Sequence, residues 1–259
     1  MTQFQRYIGI DYSGAQTAKS SLKGLRVFES APGVAALEVQ PPPGTRKYWT
    51  RHGIAVWLSE QLIQDKPTLV GVDHGFSFPL RYFERHALAH DWDVFLEDFV
   101  SHWPTHRDGV YVDLVRQGAV GSGVLRSGDA RWRRECEKRC RAKSVFHFDV
   151  QGSVAKSTHA GIPWLWFLRC QFGSRLHVWP FDGWDIPAKA SALLEAYPAL
   201  YKRNYTVMDQ TPDQHDAFSI ASWLRDSDRD GRLLDALHPR LSDEEAQSAL
   251  VEGWILGVT

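Results

Sequence analysis

Tyr7-Ile8-Gly9-Ile10-Asp11-Tyr12-Ser13-Gly14-Ala15 is a short apolar run, then a carboxylate, then a turn of small residues. That order predicts a strand over residues 7–11 ending on Asp11. The same grammar returns at Thr68-Leu69-Val70-Gly71-Val72-Asp73, where a continuous apolar run lies between Pro67 and an aspartate. An apolar run without alternation suits a strand covered on both faces, as in a sheet with helices above and below it. Between the two, residues 49–64 carry Ile54, Trp57, Leu58 and Leu62 at helical spacing. Strands alternating with helices in this way place the chain in the α/β class.

Working outward, residues 25–29 and 35–39 read as two antiparallel strands returning from the first. Residues 40–44, with three prolines and a glycine, are a loop. Downstream, helices are predicted over 80–89 and 92–102, followed by a loop at 118–128 with four glycines. We read about 80–150 as a helical insertion or lid within a single domain spanning 1–259. Residues 155–172 follow as a helix, then strands at 176–181 and 192–197. Thr211-Pro212-Asp213-Gln214 joins a hydroxyl cap, a proline at the first helical position and a glutamine at the third. It predicts a helix to about residue 226. Ser242-Asp243-Glu244-Glu245 opens a last helix in the same manner.

The 259 residues are 43% apolar and include 11 tryptophans, enough for a substantial core. No run of about 18 apolar residues exists, so no membrane span is expected. Residues 1–10 lack a basic segment leading into a long apolar stretch, and three cysteines do not make a disulfide framework. These features predict a cytoplasmic protein. The net charge of −1 offers no overall basic surface for nucleic acid. Any polyanion-binding face is therefore local, and residues 126–143, with eight Lys or Arg against three acids, are the one basic run.

Two-metal phosphoryl chemistry needs several carboxylates converging on one point, where hard cations take oxygen ligands. Asp11 and Asp73 each end an apolar strand, although aspartate is also a common turn former. Glu195 sits inside Ala192-Leu193-Leu194-Glu195-Ala196-Tyr197, and an acid buried there needs a cation, either a metal or an arginine. Asp213 and Asp216, three apart, share a helix face. Asp213 also complements the helix dipole, an explanation that weakens one turn deeper at Asp216.

Taken together, Ile8-Gly-Ile-Asp11-Tyr-Ser-Gly, Val70-Gly-Val-Asp73, Glu195-Ala-Tyr-Pro198 and Asp213-Gln-His-Asp216-Ala-Phe-Ser-Ile-Ala resemble an uncharacterised ribonuclease H-like family. That family is catalogued as domain of unknown function 429 and described as predicted nucleases. The last segment also resembles the final helix of Holliday-junction resolvases. The resemblance covers roughly residues 7–30, 67–79 and 191–224. It implies a mixed five-stranded sheet flanked by helices, with the first three strands antiparallel. It further implies metal ligands at Asp11, Asp73 and Asp216, with Asp213 as partner and Glu195 in a Glu-x-x-Pro motif.

Secondary features supply candidate substrate contacts. Arg131 and Arg134 in the basic run could grip a phosphate backbone, with Trp132 stacking on a base, unless neighbouring acids pair the run internally. Gly152-Ser-Val-Ala-Lys156-Ser-Thr158-His159 lacks the glycine of a Walker loop. It suits a helix start whose amides, with Lys156, Thr158 and Ser13 from the first turn, hold a phosphate, or simply an ordinary capped helix. Cys136 and Cys140, four apart, read as packing thiols rather than zinc ligands. The expected activity is a nuclease: a phosphodiester hydrolase dependent on Mg²⁺ or Mn²⁺ and acting on DNA or RNA. The catalytic residues would be Asp11, Asp73, Glu195 and Asp216. The competing readings are a nucleic-acid or nucleotide-binding protein without turnover and a small-molecule phosphotransferase.

Overall fold

In the computed structural model, which describes residues 3–44 and 46–259, both decisive runs form strands. These are β1 (Arg6–Asp11) and β4 (Thr68–Asp73), each with five successive buried residues before a half-buried aspartate. β2 (Arg26–Ala31) pairs antiparallel with β1, and β3 (Val34–Glu38) pairs antiparallel with β2. β4 lies parallel to β1, β6 (Ser191–Glu195) parallel to β4, and β5 (Leu176–Val178) parallel to β6. The sheet is thus six-stranded and mixed, in the order β3-β2-β1-β4-β6-β5. It has one strand more than the five the resemblance implies. The addition is β5, three residues long on the far edge, which the apolar run at 176–181 had marked.

Alternation along the strands divides the core between the two faces of the sheet. Ile8, Ile10, Val70, Val72 and Leu193 face one apolar cluster, where α1 (Arg51–Leu62), α3 (Trp92–His102) and α6 (Ala155–Phe172) contribute Leu58, Phe99 and Leu165. Tyr7, Leu69, Ala192 and Leu194 face a second cluster. There α7 (Pro212–Arg229), α8 (Arg232–Leu237) and α9 (Asp243–Glu252) contribute Ile220, Leu237 and Ala249. Helices α2 (Leu80–His86), α4 (Val112–Arg116) and α5 (Glu135–Arg139) lie between α1 and α6 in sequence. Phe83, Phe95, Val112 and Phe146 from the 80–150 region are buried in the same cluster as Ile8 and Val70.

Several boundaries moved for local reasons. α2 stops at His86 because Ala87 adopts a left-handed conformation, φ 52°. α1 begins at Arg51, where Thr50 caps the helix by accepting from the Gly53 N–H at 2.8 Å. The strand expected at 192–197 ends at Glu195 as the chain turns into a 3₁₀ segment at Pro198–Leu200. Helix α8 was not anticipated. Among the described residues no helix is long and apolar enough to cross a membrane.

Gly9 permits the contact that organises one end of the sheet. A Cβ there would lie 2.3 Å from the Ala217 carbonyl oxygen and 2.6 Å from the Ala221 nitrogen. Helix α7 therefore rests directly on the β1 backbone, and its first turn reaches the end of the strand where Asp11 stands.

Candidate carboxylate site

Parallel pairing of β1 and β4 sets Asp11 directly beside Asp73. Helix α7, started by a reciprocal cap, brings Asp213 and Asp216 within electrostatic range of Asp11. Thr211 Oγ1 accepts from the Gln214 N–H at 3.3 Å, and Gln214 Oε1 accepts from the Thr211 N–H at 3.0 Å. The other three aspartates all act on the Asp11 carboxyl. Burial first, then Asp73, Asp213 and Asp216, raise the Asp11 carboxyl well above the usual range. Burial, then Asp216 and Glu195, push Asp73 up to about 8, against an opposing pull from Lys202.

Lys202 comes from a 3₁₀ turn, Lys202–Asn204, on the path from β6 to α7. Its Nζ donates to both carboxylate oxygens of Asp216, at 2.9 and 3.1 Å. The adjoining Tyr201 is 3% exposed. Burial, then Asp73, raises its phenol well above the ordinary value. His215 is buried and approaches the Lys202 carbonyl at 3.3 Å through Nε2. His74, next to Asp73, is also buried; its Nδ1 lies 2.8 Å from the Gly75 carbonyl, and burial pushes it down to about 4.

Glu195 ends β6, one strand beyond Asp73, and is 4% exposed. Arg134, fully buried, grips it with two parallel bonds of 2.6 Å while also holding Glu137 at 3.0 Å. The Phe76 N–H adds a bond of 3.2 Å to Glu195. Of the two cations the sequence left open for Glu195, the arginine is the one observed. Arg134 was expected to face substrate; it is inside, consumed by two carboxylates, because a buried acid in β6 requires it.

Several others of the basic run are also paired. Arg126 pairs with Asp98, Lys138 with Glu135 and Arg139 with Glu245. Arg131 is exposed and paired with Asp129, in a recess with Trp132 and Glu84 that contains none of the four aspartates. The face of Trp132 is covered by the Arg81 guanidinium at 5.2 Å. Thr158 is another correction: it is buried, and its Oγ1 accepts from the Gly75 N–H at 2.9 Å, securing the turn after β4. Cys136 is buried, and all three cysteines are free.

Ser13 and Lys156 meet only part of the aspartate set, beside Asp11 and Asp213 but not Asp73 or Asp216. With Asp11, Gly14, Asp113 and Asp213 they line an open cleft of about 840 Å³. A Cβ on Gly14 would lie 2.1 Å from the Lys156 carbonyl, so the turn after β1 lies directly against the start of α6. Lys156 Nζ pairs with Asp113 at 2.7 Å and is partly exposed. Arg51, fully buried, fixes that turn by donating to the carbonyls of Ser13, Ala15 and Gln16 at 2.7–2.9 Å. Sequence reasoning missed both Arg51 and Lys202. Neither stands in a motif; each is defined by the backbone or carboxylate it meets across the fold.

The donor chemistry fits a hard cation, with four aspartates sharing one field and one lysine bound among them. The arrangement does not yet fit: among the described residues, no three or more His, Cys, Asp or Glu side chains are placed to hold a metal ion as they stand. No family model, curated protein or solved structure matches the chain.

Proposed function

We propose that the chain is a metal-dependent phosphodiester hydrolase of the ribonuclease H-like class, acting on nucleic acid at the carboxylate end of β1 and β4. One observation carries the reading. Asp11 and Asp73 are paired in register at adjacent strand ends, and a glycine-seated helix adds Asp213 and Asp216 to the same field. Stacking half-buried acids without equal positive charge costs stability, and such sites cluster where a ligand repays that cost. Mg²⁺ or Mn²⁺, when bound, would supply charge neutralisation at the phosphoryl group and lower the pKa of the attacking water.

The chain's own residues would do the rest. Asp11, Asp73 and Asp216 would hold the cation, with Asp213 at the mouth of the cleft. Ser13 and Lys156 would orient a phosphate there. Glu195, held by Arg134, would act through Asp73 as a fixed negative neighbour rather than as a catalytic residue. The antiparallel β1–β2–β3 and parallel β4–β6 arrangement agrees with the five strands the resemblance implies, with β5 added outside them.

The test is cleavage of single-stranded, duplex and branched DNA and RNA with Mg²⁺ and with Mn²⁺, comparing the wild type with Asp73→Asn. Cleavage that requires metal should fall by more than about a hundredfold in the variant, beyond what losing a ligand's supporting partner costs. A folded wild type with no turnover on any substrate would sink the nuclease. A second reading then takes over, a nucleic-acid or nucleotide-binding protein without catalysis. It is favoured by the basic side chains already engaging Asp216 and Glu195.

A further inference from the structure

We propose that a second pocket, next to the cleft, receives a base of single-stranded nucleic acid, which makes an unpaired strand or end the substrate class of the proposed function. The inference rests on that reading. The pocket holds about 560 Å³, within the range of small-ligand sites, and is walled by Pro41, Pro42, Tyr48, Trp49, Val56 and Trp57. Lys19 and Arg46 also line it, and Glu60 is the one acid among the described residues that do. The Tyr48 ring is already met by Arg26 and Lys47, at 5.0 and 5.3 Å, which leaves the half-buried Trp57 as the ring for a ligand. Neither the Trp57 indole N–H nor the Tyr48 hydroxyl is engaged by the described residues, and Arg46 has no carboxylate partner among them. An apolar partner would leave these polar tips facing it without a bond. A nucleobase is flat and apolar on its faces, polar at its edge and tied to a phosphate. It therefore meets the indole face, the free N–H and hydroxyl, and the unpaired arginine together.

The fold ties this pocket to the cleft. Trp49 is buried and donates from Nε1 to the Val39 carbonyl at 2.9 Å, fixing the aromatic wall to the chain just before the proline loop. Ser21 Oγ donates to the Tyr48 carbonyl and accepts from the Tyr48 N–H, both at 3.0 Å. The Leu22 N–H donates to the Trp49 carbonyl at 3.0 Å, and the His52 N–H to the Ala18 carbonyl at 3.1 Å. Residues 18–22 thus carry the aromatic wall. The same stretch of chain, through Thr17 and Ser20, lines the cleft that holds Asp11 and Asp213, while Lys19 between them lines the pocket. One short loop separates the two sites. A strand with a phosphate in the cleft and a neighbouring base in the pocket would cross that loop over Lys19. The lysine's pair with Asp108 is well exposed on both sides, so a phosphate can replace the aspartate at little cost. A duplex offers no such base, because its bases are paired and stacked inside it.

The experiment is binding of labelled oligomers by fluorescence anisotropy, without divalent metal, to the wild type, Trp57→Ala, Trp57→Phe and Arg46→Ala. The probes are a single-stranded deoxyadenosine oligomer, an abasic oligomer of equal length and a duplex. The base-bearing single strand should bind the wild type at least about fivefold more tightly than the abasic one, and more tightly than the duplex. Trp57→Ala should close the gap between the two single strands, whereas Arg46→Ala should weaken both and keep it. The base-bearing oligomer should also quench tryptophan emission. Trp57→Phe, which keeps a ring for stacking, should retain most of the gap yet lose most of the quenching. If Trp57→Ala does not fold, the quenching in Trp57→Phe decides. Equal binding of the two single strands, a gap that survives Trp57→Ala, or quenching that survives Trp57→Phe overturns the proposal. So does a proline-rich peptide that binds against Trp57 where no oligomer does. Duplex cleaved with no base-dependent binding removes the pocket and leaves the hydrolase standing. A base-dependent gap lost in Trp57→Ala, with no cleavage of any substrate, keeps the pocket and removes the hydrolase. No nucleic acid bound in any form removes both.

Discussion

Two acids end neighbouring parallel strands, and the molecule treats them in opposite ways. Glu195 on β6 is closed off: Arg134 binds it twice, Glu137 balances the arginine, and all three are almost fully buried. Asp73 on β4, paired in register with Asp11, is left half-buried in an excess of negative charge, with Lys202 reaching only Asp216 by hydrogen bonds. A fold that can bury and neutralise one carboxylate with an arginine could do so for the next. On the function proposed above, the second group is the one kept for a ligand from outside. The first arrangement supports the fold; the second costs stability that a bound cation would return.

The sharpest way to break this comparison is to remove the clamp. Arg134→Met leaves Glu195 and Glu137 buried without a cation, and loss of one partner from a buried pair costs about 3–5 kcal/mol. Urea unfolding should show a loss of that size. Adding Glu195→Leu should recover part of it, because an apolar pair replaces a stranded charge. No loss on Arg134→Met would mean that the two strand ends are not differently built.

The next largest effect tests how the open end is assembled. Gly9→Ala places a methyl group 2.3 Å from the Ala217 carbonyl, which must move α7 off β1. Overpacking of this kind costs about 1–3 kcal/mol. The loss should come with reduced electrostatic coupling between Asp11 and Asp216, visible as a lowered Asp11 pKa by carbon-detected NMR.

Asp73→Asn should act with the opposite sign. The Asp73 carboxyl is pushed from 3.8 to about 8, so between these values the folded chain holds a proton that the unfolded chain has released. Its contribution to stability is complete below about pH 4 and is lost as pH rises through 8. The metal-free wild type should therefore weaken across that window, while Asp73→Asn removes this part of the slope. At pH 8 the variant should melt higher than the wild type, and the gap should close as pH falls toward 4. A variant less stable at pH 8 would show that Asp73 is already neutralised, as Glu195 is.

The contrast between these strand ends was only half legible in the sequence. Asp11 and Asp73 could be read because an acid closing an apolar run is a local pattern, whereas their pairing in register, with Gly9 opposite Gly71, emerges only in the folded sheet. Asp213 and Asp216 could be read because a capping box fixes the phase of a helix. Which cation meets which acid could not. Arg134 sits among seven other basic residues of residues 126–143, and nothing in that run marks the one that turns inward, since its reason is Glu195, 61 residues away. Lys202 lies in a 3₁₀ turn without periodicity, so its face was undetermined until the chain from β6 to α7 was folded. Thr158 failed similarly: its position near a helix start suggested a phosphate, but the hydroxyl serves the Gly75 backbone.

The smallest expected effect concerns Lys156, on the open side of the comparison. Its ion pair with Asp113 is partly exposed, and such pairs contribute about 0–1 kcal/mol, so Lys156→Ala should barely move the unfolding midpoint. If the cleft between Ser13 and Lys156 receives phosphate, the same substitution should weaken binding of a short oligonucleotide severalfold. It should also flatten the salt dependence, because one fewer lysine displaces counterions from the backbone. Arg131→Ala is the control. It removes an equal charge from a recess that contains none of the four aspartates, and so should leave both quantities unchanged. Equal losses from the two substitutions would mean that diffuse positive charge, rather than the carboxylate cleft, draws the ligand. The open strand end would then lose its claim to be the binding site.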